Sequence, residues 1–236
     1  MKSKSFVDAT WRMPLRKVVI ARWLLEKGKD LGASDVTYIP NAIDHDRYKC
    51  LAPVRERPRQ VAMLFSAVPL KGAKDGIKAL EMVRRSYPDL KAVFFGAGRR
   101  QSWVPNWITY YRNPPQSFIV EQIYNRSSIF LSPSWSEGFP LPPAEAAACG
   151  CAIVAAENGG IREYVEHGVT GLLSPPKDAS ALAANLGRLL ENDDLRVRLA
   201  KAAGAAIRRF DWERSTNLLE SFIEVSQGLE PVGVQT

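Results

Sequence analysis

SIFLSPSWSEGFPLPPAEAAACGCAIVAA, residues 128–156, reads as one strand–helix–strand unit. SIFLS (128–132) and CAIVAA (151–156) are short apolar runs of strand length. Between them the spacing predicts a helix over about 142–149, opened by Pro142 and Pro143 and stopped by Gly150. Two apolar strands with a helix between them favour a parallel, buried pair joined by a crossover.

The same alternation extends in both directions. Upstream, QVAMLFS (60–66) is a strand, followed by a helix from Lys71 to Tyr87 with Ile77, Leu80, Val83 and Tyr87 on one face. KAVFFG (91–96) is the next strand, closed by Gly96-Ala97-Gly98, and WITYY (107–111) the one after it. Pro114-Pro115 then precedes a helix over 117–125. Downstream, IREYVEH (161–167) reads as a short helix ended by Gly168, and TGLLS (170–174) as the last strand. This predicts an α/β fold: a Rossmann-like, doubly wound parallel sheet, with ligands at the carboxyl ends of the strands. From residue 175 the pattern is helical, with Asp178 as an N-cap and later helices carrying Leu195, Leu199 and Ala202, then Leu218, Phe222 and Val225.

The chain has 236 residues, 46% hydrophobic and 24% charged, which supports a packed core and excludes wholesale disorder. No apolar run reaches the length of a membrane span, and the first residues lack the apolar core of a secretory signal. Net charge is +7, with the excess concentrated in residues 2–29, where Lys2, Lys4, Arg12, Arg16, Lys17, Arg22, Lys27 and Lys29 oppose Asp8 and Glu26. A solvated basic face and contact with an acidic partner both fit that segment. Nucleic acid is disfavoured, because aromatic and basic residues do not interleave. Three cysteines cannot pair completely, which points to a reducing cytoplasm. Cys149-Gly150-Cys151 lacks further ligands, since His45 and His167 are distant in sequence, so no metal is expected.

The chemistry centres on the turn into the 142–149 helix. A helix N-terminus suits a phosphate, and Gly138 lets the backbone approach a ligand. The usable amides are those of Gly138, Phe139 and Leu141, with Pro140 between them. Glu137 in the loop and Glu145 in the first helical turn could each accept paired hydrogen bonds from vicinal hydroxyls. An exposed loop glutamate and a glutamate favoured by the helix dipole are the plainer readings of the same residues.

PSWSEGFPLPPAEAAACG (133–150) resembles the E-x7-E signature of retaining GT-B glycosyltransferases of family four, the group 1 type. IPNAID (39–44), Lys71-Gly72, Gly96-Ala97-Gly98, GG-x-x-E (159–163) and G-x-x-G-x-L (168–173) follow the family's order. The resemblance implies the C-terminal, donor-binding half of a two-domain enzyme that moves a sugar from a nucleotide-diphosphate sugar to an acceptor, with no cofactor beyond that donor. It implies that Glu145 holds the ribose and Glu137 the donor sugar. Lys71 would offset the pyrophosphate, which also follows from the charge of the leaving group. The backbone at Arg112–Pro114 would lie against the base, and Gly138, Phe139, Pro140 and Leu141 would line sugar and pyrophosphate.

One departure concerns Ser66. The family commonly carries a Gly-Arg pair where this chain has Phe65-Ser66, so one pyrophosphate cation is replaced; Lys74 is a substitute candidate. The other concerns residues 1–35, which are expected to hold a helix at 14–29, no strand, and the trailing segment of an acceptor domain. Residues 36–210 would then be the nucleotide-sugar-binding domain, 211–226 a crossover helix and 227–236 a frayed tail. Trp11, Trp23, Trp212 and Phe222 are expected to offer apolar surface to a partner. The resulting alternatives are a glycosyltransferase donor half, in which this chain alone transfers little sugar, or a non-catalytic nucleotide-sugar-binding module or subunit of a split enzyme. An N-terminal GT-B half and an acidic membrane face are the further partners expected, with a cytoplasmic location, peripheral at the membrane inner face.

Overall fold

The structure, a computed structural model, describes residues 4–226; the expected frayed tail lies outside the described residues. The chain divides into two compact units, one formed by the segments before Ile43 and after Arg209, the other by Ile43–Arg209.

The first unit opens with helix α1 (Lys4–Thr10), strand β1 (Lys17–Val19), helix α2 (Arg22–Asp30) and strand β2 (Val36–Tyr38). The expectation of no strand in the first 35 residues is thereby corrected. Lys17–Val19 pairs in parallel with Val36–Tyr38, so β2 stays with the first segment, and the division falls after Ala42. Helix α2 is shorter than expected because Lys17–Val19 is extended and the chain re-enters helix only at Arg22. Gly28 is required there: a Cβ would stand 2.7 Å from the Trp11 ring.

The second unit holds β3 (Gln60–Leu64), α3 (Ala73–Arg84), β4 (Lys91–Gly96), β5 (Thr109–Arg112), α4 (Gln116–Phe118), β6 (Ile129–Ser132), α5 (Leu141–Ala148), β7 (Ala152–Ala156), β8 (Leu172–Ser174), α6 (Ala179–Glu191) and α7 (Asp193–Ile207). Helix α8 (Trp212–Ser226) returns to the first unit. The six strands β3 to β8 form one parallel sheet in the order β5-β4-β3-β6-β7-β8. This is the doubly wound arrangement, with its switch point between β3 and β6. The strands are buried on both faces: Val61, Met63, Phe94, Ile129, Leu131 and Val154 on one, Ala62, Phe95, Phe130 and Ile153 on the other. Helices α3 and α6 pack together on one side; α5 and α7 pack together on β6 and β7.

Local chemistry sets several boundaries. Helix α3 begins at Ala73 because Gly72 adopts φ 64° and separates it from a short 3-10 turn at Pro69–Lys71. The 117–125 helix is a turn of α4 that widens into a π-helix over Ile119–Tyr124. The 161–167 helix is only a 3-10 turn at Gly160–Glu163. There the Thr170 hydroxyl accepts from the Glu166 amide and donates to the Tyr164 carbonyl, turning the chain toward β8 instead. Asp178 caps α6 by accepting from the Ala181 amide.

Candidate functional site

The switch point places the ends of β3 and β6 side by side, and the connections after them carry most of the residues singled out from the sequence. Ser66, Lys71, Glu137, Phe139, Pro140 and Leu141 line one cavity of about 210 Å³, floored by Leu64, Phe130 and Leu131. Lys71 Nζ donates to both carboxylate oxygens of Glu137, at 2.8 and 3.0 Å. Glu137 is not the exposed loop carboxylate of the plainer reading: its side chain retains 17% exposure and lines the cavity in an ion pair with Lys71. The pair joins a lysine from the β3 side to a carboxylate from the β6 side, across the cleft where the fold class binds ligands.

The Glu137 loop is held by a feature whose role the sequence did not disclose. Glu137 pairs with Gly159 in an isolated bridge; its amide donates to the Asn158 carbonyl, and its carbonyl accepts from the Gly160 amide. A Cβ on Gly160 would lie 2.0 Å from the Gly138 carbonyl oxygen, so a second glycine is needed for the two loops to meet. Tyr164 completes the brace, its hydroxyl donating to the Pro140 carbonyl and its ring packing on Phe139 at 5.3 Å. Gly159-Gly160 and Tyr164 thus fix the loop that carries Glu137 and Gly138.

Three predicted residues are not among those lining that cavity: Gly138, whose carbonyl instead meets Gly160 behind it, Glu145 and Arg112. Glu145 is the fifth residue of α5, beyond the first turn, so the helix-dipole reading does not apply to it. Its Oε2 accepts from the Tyr124 hydroxyl at 2.8 Å. Burial raises the Glu145 carboxyl above its usual 4.5; hydrogen bonds from Tyr124 and Tyr48 and the charge of Arg47 oppose that rise. The same burial, with the carboxylate beside it, pushes the Tyr124 and Tyr48 hydroxyls up. Tyr48 lies far from Glu145 in sequence and no spacing announced it. Arg112 ends β5, two strands from β3, and is exposed.

Lys74 stands 5.6 Å from the Trp103 ring centroid rather than among the residues lining the Lys71 cavity. Cys149 and Cys151 are buried, and burial raises both thiols, Cys151 to about 12. Beside them Arg57, itself buried, donates to the carbonyls of Tyr124, Ser127 and Cys149, which explains the small-residue turn at the base of α5. Among the described residues no group of three or more His, Cys, Asp and Glu could hold a metal ion.

In the first unit the expected apolar surface is uneven. Trp212 is 63% exposed, whereas Trp11 packs against Gly28, and Trp23 and Phe222 lie beside Lys27 and Arg16. The basic segment is spread over several elements and largely partnered. Arg16 pairs with Asp35 at 2.9 Å, Lys29 with Glu26 at 3.1 Å, and Lys17 Nζ donates to the Met13 and Leu15 carbonyls. No helix among the described residues is long and apolar enough to cross a membrane.

A doubly wound sheet with a lysine–carboxylate pair and a helix start at its switch point defines a Rossmann-like domain of the kind found in GT-B proteins. The family model for glycosyl transferases group 1 matches residues 52–205, and the chain belongs to that family. It is 30% identical over 192 residues to a glycogen synthase of Mycobacterium tuberculosis, covering 77% of this chain and 46% of the relative. It is 32% identical over 205 residues to a phosphatidyl-myo-inositol mannosyltransferase of the same organism, covering 81% and 53%. The chain thus spans about half the length of these curated relatives. Among solved structures, the Anabaena protein HepE in complex with UDP and glucose superposes with a TM-score of 0.78 at 22% identity, covering 96% of this chain and 66% of that one. A sucrose-phosphate synthase from Thermosynechococcus elongatus gives 0.78 at 19% identity, covering 95% and 61%.

Proposed function

We propose that this chain binds a nucleotide-diphosphate sugar and serves as the C-terminal, donor-binding half of a retaining GT-B glycosyltransferase. The observation that carries this reading is the Lys71–Glu137 pair at the β3/β6 switch point, beside the start of α5. A sugar leaves a nucleoside diphosphate as negative charge builds on the pyrophosphate. Lys71 and the Leu141 amide, the one N–H among the first three residues of α5, supply positive potential at that place. An arriving diphosphate competes with Glu137 for Lys71. The displaced carboxylate is then available to the hydroxyls of the donor sugar. Glu145 accepts from the ribose hydroxyls, with Tyr124 and Tyr48 fixing its orientation. Gly138, Phe139, Pro140 and Leu141 shape the wall, Ser66 borders the phosphates, and backbone at Arg112 meets the base.

Membership of the family and the UDP and glucose named in the HepE complex support this reading. The unpaired thiols fit a cytoplasmic setting, and the basic residues between 2 and 29 are the part that would face an acidic membrane. Calorimetry of the chain with UDP, GDP and UDP-glucose tests the proposal. Saturable binding that Lys71→Ala weakens is the expected result. No binding of any nucleoside diphosphate would overturn it.

A further inference from the structure

The small-residue turn at the base of α5 borders a second cavity, of about 400 Å³. None of the residues lining the Lys71–Glu137 cavity lines this one. Part of its wall is a face of α7. Lys201, Gly204, Ala205 and Arg208 follow the i, i+3, i+4, i+7 spacing of a single helix face, Arg208 being the helical residue just past the end of α7. Two cations therefore flank a stretch with no side chain larger than a methyl. Ala147, Ala148 and Gly150, from the end of α5 and the turn after it, add further small residues. His45, Lys49 and Cys50 enter from the segment before β3.

The positive charge here is unopposed. No Asp or Glu lines the cavity, and among the described residues the side chains of Lys49, Lys201 and Arg208 make no hydrogen bond or ion pair. Arg16, Lys29 and Lys71, by contrast, are each held by a carboxylate. His45 Nε2 is buried and also has no hydrogen-bond partner. The attraction of a cation to a helix C-terminus accounts for Arg208 alone. The Cys50 thiol is fixed at the wall: Sγ accepts from Arg57 Nη2 at 3.3 Å and donates to the Ala52 carbonyl at 3.2 Å. Cys50 is exposed while Cys149 and Cys151 are buried, so its reactivity reports on this cavity.

We propose that the cavity binds a phosphomonoester whose apolar part packs on the bare stretch between the cations. The site stands whether or not the donor reading holds. A phosphomonoester carries about 1.5–2 negative charges near neutral pH and accepts through three oxygens. Lys49, Lys201 and Arg208 are the matching donors, and the planar fork of the arginine suits phosphate. A turn of the His45 ring would offer Nε2 to one of the oxygens. Gly204, Ala205, Ala147 and Ala148 leave room for an apolar body, which an inorganic anion lacks. The volume lies within the roughly 300–1,000 Å³ of small-molecule sites.

Alkylation of Cys50 by iodoacetamide on the full chain, followed by mass spectrometry at an ionic strength matched with sodium chloride, tests the site. Phenyl phosphate is expected to slow alkylation saturably, and inorganic phosphate to do so only at higher concentration. Each protein is compared with its own rate without ligand. The double variant Lys201→Ala with Arg208→Ala raises the half-protecting concentration at least about tenfold, about 1.4 kcal/mol. Lys201→Arg keeps the protection, and so does Lys71→Ala, because the donor cavity is not involved. Vesicles of phosphatidylcholine with phosphatidic acid present the same group on a lipid, with pure phosphatidylcholine as the control. Protection by phenyl phosphate assigns a free ester; protection by the phosphatidic acid vesicles alone assigns a lipid headgroup. The proposal is overturned by no protection from either source, by equal protection in the double variant, or by loss of protection in Lys71→Ala, which would trace the effect to the donor cavity. Equal potency of inorganic and phenyl phosphate would overturn the role given to the apolar part.

Discussion

Glu145 and Lys71 look equivalent in sequence, as charged residues near helix starts, yet their surroundings give them different behaviour. Glu145 has a raised proton affinity in the fold because burial outweighs its hydrogen bonds. A carboxyl whose folded value exceeds its unfolded one contributes stability below about 4.5, and that contribution is lost as pH rises through the folded value. Ligand binding runs the opposite way, because ribose hydroxyls donate to the ionised form. UDP affinity is therefore expected to fall as pH drops through the raised value, whereas Glu145→Gln, with no proton to gain, loses that component. Glu145→Gln should also cost about 1.5–3 kcal/mol of UDP binding near neutral pH. Calorimetry of both proteins across the acid range checks this, and identical pH profiles would remove Glu145 from the ribose. Lys71 differs because its charge is already engaged by Glu137. Lys71→Ala should weaken UDP far more than uridine, with the difference shrinking as salt rises. Glu137→Gln should leave UDP bound at least as tightly, because it releases the lysine, while weakening UDP-glucose. Equal losses for UDP and UDP-glucose in Glu137→Gln would show that Glu137 does not meet the sugar.

Elements position these residues through glycines, and two glycines make opposite predictions. Gly160→Ala forces a methyl to within 2.0 Å of the Gly138 carbonyl, so the brace behind Glu137 must open. We expect a loss of about 1–3 kcal/mol in stability, together with weaker binding of UDP-glucose. Gly187 sits inside α6 with nothing within 4 Å of its would-be Cβ. Gly187→Ala should stabilise by about 0.5–1 kcal/mol and leave binding alone. Thermal melts with calorimetry separate the two, and a shared sign would refute the account of the brace. The contrast also explains what was legible. The strands β3, β4, β6 and β7 stand out as apolar runs because a parallel sheet buries both faces. The Lys17–Val19 strand did not, since three residues of mixed exposure carry no period. Glu137, Lys71, Phe139, Pro140 and Leu141 were found because they crowd two short segments. Tyr48, Tyr124, Asn158 and Tyr164 were not, because they reach the site from other elements, and only tertiary packing puts a tyrosine hydroxyl on Glu145.

At the scale of the whole molecule, the sheet and its helices form a unit with its own core, running from Val61 through Leu131 and Leu172 to Leu199. The candidate donor residues all belong to this unit, and so do the braces behind them. Any ligand that holds Lys71 and Glu145 together therefore links the β3–α3 connection to α5, across the switch point of a single cooperative core. The consequence is a stability gain fixed by mass action rather than by the area touched. UDP at about one hundred times its dissociation constant should add about 2.7 kcal/mol to the unfolding of this unit. That amounts to roughly 2–4 °C per kcal/mol for a domain of about this size. The gain should be smaller at the same UDP concentration in Lys71→Ala and in Glu145→Gln, in proportion to their lost affinity. Trp212→Ala lies on an exposed surface of the other unit and should leave the gain untouched. Hydrogen exchange measured with and without UDP tests the location directly. Added protection is expected in β3, β6 and α5, which bound the cavity, and not in α2, which belongs to the other unit. Protection confined to α1, α2 and α8 would place the nucleotide on the wrong unit and overturn the donor site.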